Sequence, residues 1–266
     1  MRALSVHADL IVFISRYWQT TCTALRAGDE GFVIDSPIYP DELEALAGVL
    51  EQAGFPVSGL LATHADWDHL LGRLAFPDAS LGVGESTAQR LAGEPGDAQR
   101  KLKHFDEEQY VDDRGPLTLG GIQSLPVPGR LSLGLAQGAE RELELYPANG
   151  HTVDGTAFFI PWLQTLVCGD YLSPVEIPWI SPGGSVDAYE ATLERLRTVI
   201  EQAETVVPGH GRPLEKSEAL TLLDEDVTYL QALRSDRDRA ALPAGRRTGA
   251  QRRIHAENVE QLKPAD

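Results

Sequence analysis

Residues 59–69 read Gly-Leu-Leu-Ala-Thr-His-Ala-Asp-Trp-Asp-His. The short apolar run Gly59–Thr63 has the length and composition of a buried strand. It opens without a spacer into His64-Ala65-Asp66-Trp67-Asp68-His69, where four residues in six carry an imidazole or a carboxylate. A helix signal, Leu70–Phe76, follows directly. Alternate residues leaving a strand project the same way, so His64, Asp66 and Asp68 can converge, while His69, starting the helical turn, can reach the same pocket from its other side. Such nitrogen and oxygen donors suit zinc, iron or manganese. Capping of the helix by Asp68 would use one carboxylate. It would leave two histidines and Asp66 without a role.

Three later segments each place one ligand-type residue beside glycine, where backbone and metal can approach closely: Gly150-His151-Thr152, Cys168-Gly169-Asp170 at a strand end, and Pro208-Gly209-His210-Gly211-Arg212. A lone Gly-His is more often a turn. In this order, and near strand ends, the three complete a set. Of the other histidines, His104 falls in a charge run from Arg100 to Arg114 that reads as a solvated face, and His7 and His255 carry no pattern.

The rest of the chain alternates strand and helix signals. Leu10–Ser15, Cys22–Arg26 and Phe32–Asp35 are β-like. Pro40-Asp41-Glu42-Leu43 opens a helix with apolar residues at Leu43, Leu46, Val49 and Leu50, and Gly54 stands where a cap is expected. Helix is expected over Ala88–Leu91 and Asp97–Tyr110, and weak strand over Leu117–Leu125 and Gly134–Gln137. Strands are expected at Glu142–Tyr146, Thr156–Ile160, Leu163–Cys168 and Thr205–Val207, and helices at Val186–Gln202 and Ser217–Arg234. The arginine-rich end (Arg234, Arg237, Arg239, Arg246, Arg247, Arg252, Arg253) reads as a solvated tail or helix. Trp67 is expected to pack the ligand loop, Cys168 to be a small buried residue, and Tyr171 and Trp179 are pocket candidates only because they follow a ligand.

The length, 266 residues, accommodates one layered α/β domain over 1–266, with 215–266 as a C-terminal helical extension. A formal net charge of −17 repels phosphate backbones, so a small-molecule substrate is expected and nucleic acid is not. No apolar run approaches the roughly 20 residues of a membrane span, and no leader pattern precedes Leu10. Two distant cysteines, Cys22 and Cys168, fit a reducing, cytoplasmic setting rather than a disulfide framework.

Taken together, the motifs resemble the metallo-β-lactamase superfamily, whose signature runs H-x-H-x-D-H, a downstream His, an Asp and a final Gly-His. The resemblance covers roughly residues 20 to 215. It implies an α/β (α+β) fold, a four-layer αββα sandwich with two metals at one edge of its sheets. One metal would take His64, Asp66 and His151, the other Asp68, His69 and His210, with Asp170 between them. Asp35 would orient the ligand loop, unless it is an ordinary turn residue.

The family usually has His where this chain has Asp66. With three carboxylates and a bridging hydroxide the ligand charge is −4, which balances two divalent ions and makes them weaker Lewis acids. Zinc is the first expectation for the two ions, and the extra carboxylate adds weight to iron or manganese. The expected chemistry is attack by a metal-activated water on a small ester, thioester or lactone, with Asp68 as the catalytic proton shuttle. A phosphodiesterase, a di-iron redox protein and a non-catalytic member with a degenerate site are the alternatives.

Overall fold

The computed structural model describes residues 1–133 and 141–263. The expected strand Gly134–Gln137 lies outside them. A first sheet holds β1 (Arg2–His7), β2 (Leu10–Ile14), β3 (Thr21–Ala27), β4 (Glu30–Asp35), β5 (Gly59–Ala62), β6 (Ser80–Gly84) and β7 (Gln123–Leu125), side by side in that order. Pairing is antiparallel from β1 to β4 and parallel from β4 to β7. The second sheet contains β8 (Gly129–Leu133), β9 (Arg141–Pro147), β10 (Thr156–Ile160), β11 (Thr165–Val167), β12 (Thr205–Val207) and β13 (Leu214–Glu215), again in chain order, with β11 and β12 parallel.

Three apolar clusters make the layers. Leu10, Val12, Leu25, Ile34 and Leu61 of the first sheet meet Leu143, Phe158, Ile160 and Val207 of the second, so the sheets pack face to face. The outer face of the first sheet is covered by α1 (Pro40–Gln52), α2 (Gly72–Ala75), α3 (Glu85–Gly93) and α4 (Asp97–Gln109), with Leu43, Leu46 and Leu102 among the buried residues. The outer face of the second is covered by α5 (Val186–Ile200), α6 (Lys216–Asp236) and α7 (Gly249–Gln261). The result is the expected αββα sandwich. Strand β5, buried along its whole length, lies in the first sheet between β4 and β6, which explains its uninterrupted apolar sequence.

Several local expectations needed correction. Strand occupies only Gln123–Leu125 of the expected Leu117–Leu125, because Gly120-Gly121, with Gly121 at φ 70°, breaks the run. Leu163 belongs to a 3-10 turn, and strand begins at Thr165. Strand β1 had no clear signal, since this edge strand buries none of its residues fully. The arginine-rich end is not simply solvated: Arg246 is buried against Asp226 (2.7 Å) and Glu225 (3.0 Å). None of the described helices is long and apolar enough to cross a membrane. Both cysteines are free and buried.

Candidate metal centre

Strand β4 ends on Asp35, whose backbone is left-handed at φ 58°. Its carboxylate turns onto the neighbouring strand end, accepting Thr63 N at 2.8 Å and Thr63 Oγ1 at 2.9 Å, and reaches Nδ1 of His69 at 3.0 Å. The early Asp therefore ties the end of β4 to Thr63 and His69. Trp67–His69 form a 3-10 turn, closed by His69 N donating to Asp66 O. Trp67 packs on Phe105, ring centres 4.8 Å apart, and walls the loop from behind.

The second sheet supplies the remaining side chains. His151 lies in the β9–β10 connection, Asp170 just past β11, and His210 just past β12. Glycine is required where these segments crowd. A Cβ on Gly209 would stand 2.1 Å from Asp170 Oδ1, and one on Gly150 (φ 130°) would meet Tyr189 N at 2.3 Å.

All four histidines are held the same way. Nδ1 of His151 lies 2.9 Å from Trp179 O, Nδ1 of His210 lies 3.2 Å from Trp18 O, and Nδ1 of His69 faces Asp35. Nδ1 of His64 lies 3.0 Å from Thr63 Oγ1, whose own proton goes to Asp35. Carbonyls and carboxylates only accept, so each Nδ1 carries a proton and each Nε2 faces inward. There, Nε2 of His64, His69 and His151, with Asp170 Oδ1, are buried and make no hydrogen bond among the described residues. Buried polar atoms are rarely left this way without an unseen partner.

Ligand-type atoms fall within 4.8 Å of one another in three groups: His64, Asp66 and His151; Asp68, His69 and His210; His64, His69 and Asp170. Asp170 stands between the first two, its Oδ2 at 3.3 Å from Nε2 of both His151 and His210 and its Oδ1 at 3.3 Å from Nε2 of His69. All seven residues expected from sequence thus meet in one place. A donor set of imidazoles and carboxylates fits divalent cations.

The electrostatics agree. Burial opposes charge on His69, yet Asp68, Asp35 and Asp170 outweigh it and raise its pKa well above the usual value. Burial likewise opposes charge on His210, but Glu176, Asp170 and Asp68 push it up to about 10. Burial would raise Asp66 and Asp170; His151 and His64 pull the former well below the carboxylate range, and His210, His69 and His64 do the same to the latter. The acidic groups therefore favour positive charge within the pocket.

Several contributors escaped the sequence reading. Arg90 on α3 pairs with Asp66 (2.7 Å) and Asp154 (2.8 Å). Trp18, 45% exposed, stands at the mouth with its ring edge-on to His210. Glu176 shares a cavity lining with His151, Asp170 and Trp179. The C-terminal helix grips this wall: Asn258 accepts Ile180 N and donates to Pro178 O, each at 2.7 Å, and Gln251 donates to Val175 O. Of the pocket candidates, Tyr171 is buried and its hydroxyl accepts His151 N, while Trp179 acts through its carbonyl. Cys168 is buried, and His104 is on the surface.

A family model described as the metallo-beta-lactamase superfamily matches residues 16–210. Among solved structures, the chain is similar to a metallo-beta-lactamase from Pontibacter korlensis, with 17% identity over 86% of this chain and 98% of that one and a TM-score of 0.62. It is similar to TTHA1623 in a di-iron-bound form, at 22% identity over 79% of this chain and 96% of that one, TM-score 0.61. The stereoselective inverting sec-alkylsulfatase Pisa1 from Pseudomonas sp. aligns at 11% identity over 99% of this chain and 50% of that one, TM-score 0.71. At these identities the structures speak to the fold.

Proposed function

The chain belongs to the metallo-β-lactamase superfamily, and from that premise we propose that it is a hydrolase using two divalent ions, zinc first, on a small ester, thioester or lactone. Fold and clustered His/Asp groups support metal-dependent hydrolysis in general. The observation that carries the reading is the common posture of the four histidines, each anchored through Nδ1 and presenting Nε2 toward Asp66, Asp68 or Asp170.

His64, Asp66 and His151 would hold one ion, Asp68, His69 and His210 the other, with Asp170 shared. When bound, the ions supply Lewis acidity, bringing the pKa of a water toward neutrality and stabilising negative charge on the attacked centre. Asp68 Oδ2 lies 3.5 Å from His69 Nε2 and 3.8 Å from His210 Nε2, at the inner side of the second group. This suits it to carry a proton to the leaving group. The exposed side chain of Trp18, edge-on to His210, gives the mouth an apolar rim. With the net charge of −17, that rim favours a small, weakly charged substrate over a polyanion.

The test is turnover of a panel of esters, thioesters, lactones and phosphodiesters, with a secondary alkyl sulfate added because of the alkylsulfatase neighbour. Hydrolysis of a carboxylic substrate, abolished by His151→Ala, supports the reading; no hydrolysis by metal-loaded protein counts against it. The di-iron form of one neighbour keeps a second reading, an iron redox protein. Its mark would be retained iron with reductase activity and no hydrolysis.

A further inference from the structure

The carboxylate of Asp66 is divided between two tasks. Oδ2 lies 3.6 Å from Nε2 of both His64 and His151, while Oδ1 accepts Nη2 of Arg90 at 2.7 Å. Arg90 extends from α3, and its Nη1 donates to Asp154 Oδ1 at 2.8 Å. Asp154 Oδ2 in turn accepts Ala65 N at 2.8 Å, closing a fork around the residue before Asp66. The side chain of Arg90 is 10% exposed and that of Asp154 is fully buried. Guanidinium is fixed in charge and planar, so it imposes geometry as well as neutralising. One positive charge against Asp66 and Asp154, with the exposed Glu94 as a weaker third partner 3.5 Å from Nε, only partly neutralises the pair, and Asp66 Oδ2 faces the histidines.

We propose that Arg90 is a positioning residue that sets cation selectivity at the His64/Asp66/His151 group by holding Asp66 to one oxygen of reduced charge. The proposal rests on that group being a cation site. Two imidazoles with one charge-depleted oxygen suit zinc, whereas a free carboxylate, with both oxygens and its full charge, suits manganese better. The extra carboxylate read from sequence as a pull toward harder ions is therefore offset by a cation that the sequence did not connect to it.

The experiment titrates chelator-stripped, full-length protein with Zn²⁺ and Mn²⁺ against a chromophoric chelator and compares the ratio Kd(Mn)/Kd(Zn) between variants. In R90Q/D154N both fork charges vanish together, so Asp154 is not left as an unpaired buried carboxylate, and the amide introduced at position 154 still offers an acceptor to Ala65 N. The ratio should fall about tenfold, the low end of what outer partners of metal ligands typically contribute. R90K, which keeps the charge, should stay closer to wild type than to R90Q/D154N. D154N leaves the whole guanidinium to Asp66 and should move the ratio the other way, which can be read even if the double variant does not fold. An unchanged ratio in R90Q/D154N, or a shift in the same direction for D154N, overturns the proposal while the site reading stands. A wild-type protein that binds neither ion overturns both.

Discussion

Nδ1 of His69 lies 3.0 Å from Oδ2 of Asp35, a carboxylate that also accepts the backbone and hydroxyl protons of Thr63. One residue at the end of β4 thus fixes the orientation of the ligand loop and the tautomer of a histidine in it. Asparagine tolerates the left-handed backbone of position 35 but removes the charge. Asp35→Asn should weaken cation binding by about 10–100-fold with little change in fold, as read by metal titration and circular dichroism. Wild-type affinity in the variant would reduce Asp35 to a turn residue.

Asp68 is assigned a proton-carrying role that its isosteric amide cannot perform. Asp68→Asn should weaken metal binding at the second group and, at saturating metal, still lose on the order of 10²–10⁴-fold in kcat. Steady-state kinetics with parallel elemental analysis separates the two effects. Equal kcat at equal metal content would remove the role.

The C-terminal helix reaches the site through Asn258, which satisfies Ile180 N and Pro178 O on either side of Trp179, the residue whose carbonyl receives His151 Nδ1. Asn258→Ala strands two backbone groups and should cost roughly 2–4 kcal/mol in urea unfolding. It should also weaken cation binding, because the Trp179 carbonyl loses its support. A stability loss with unaltered metal affinity would confine α7 to a packing role.

Burial pushes the carboxyl of Asp226 up to about 7, against the pull of Arg246. Its ordinary value is 3.8, so between pH 4 and 7 the folded chain holds a proton that the unfolded chain has released. Stability attributable to this group is therefore greatest at the acid end and falls as pH rises, by at most about 1.4 kcal/mol per unit, levelling off above 7. Unfolding free energies of wild type minus Asp226→Asn should show that slope. A flat difference across the window would contradict it.

The clustered His and Asp residues were legible as a group because their chemistry is dense and the spacing of the first four is short. His64, Asp66, Asp68 and His69 fall in one loop, and His151, Asp170 and His210 each sit against glycine. What supports them was not legible. Arg90 looks like any helix-surface arginine until α3 brings it to Asp66, which is 24 residues earlier in the chain. Asp154 carries no motif, and Arg246 reads as one charge in a basic tail, although it is buried 2.7 Å from Asp226. These residues act across elements, through contacts that only packing of the four layers creates. The same limit applied to β1, whose half-exposed edge position leaves little hydrophobic pattern.

Seven side chains from both sheets are proposed to form one dinuclear cation site. It is tested most directly by metal stoichiometry of the stripped and reloaded chain, measured by elemental analysis beside the His151→Ala and His210→Ala variants. Wild type should hold two divalent ions per chain, and each variant should lose one. Fewer than one ion retained by wild type, or full occupancy in both variants, would contradict it.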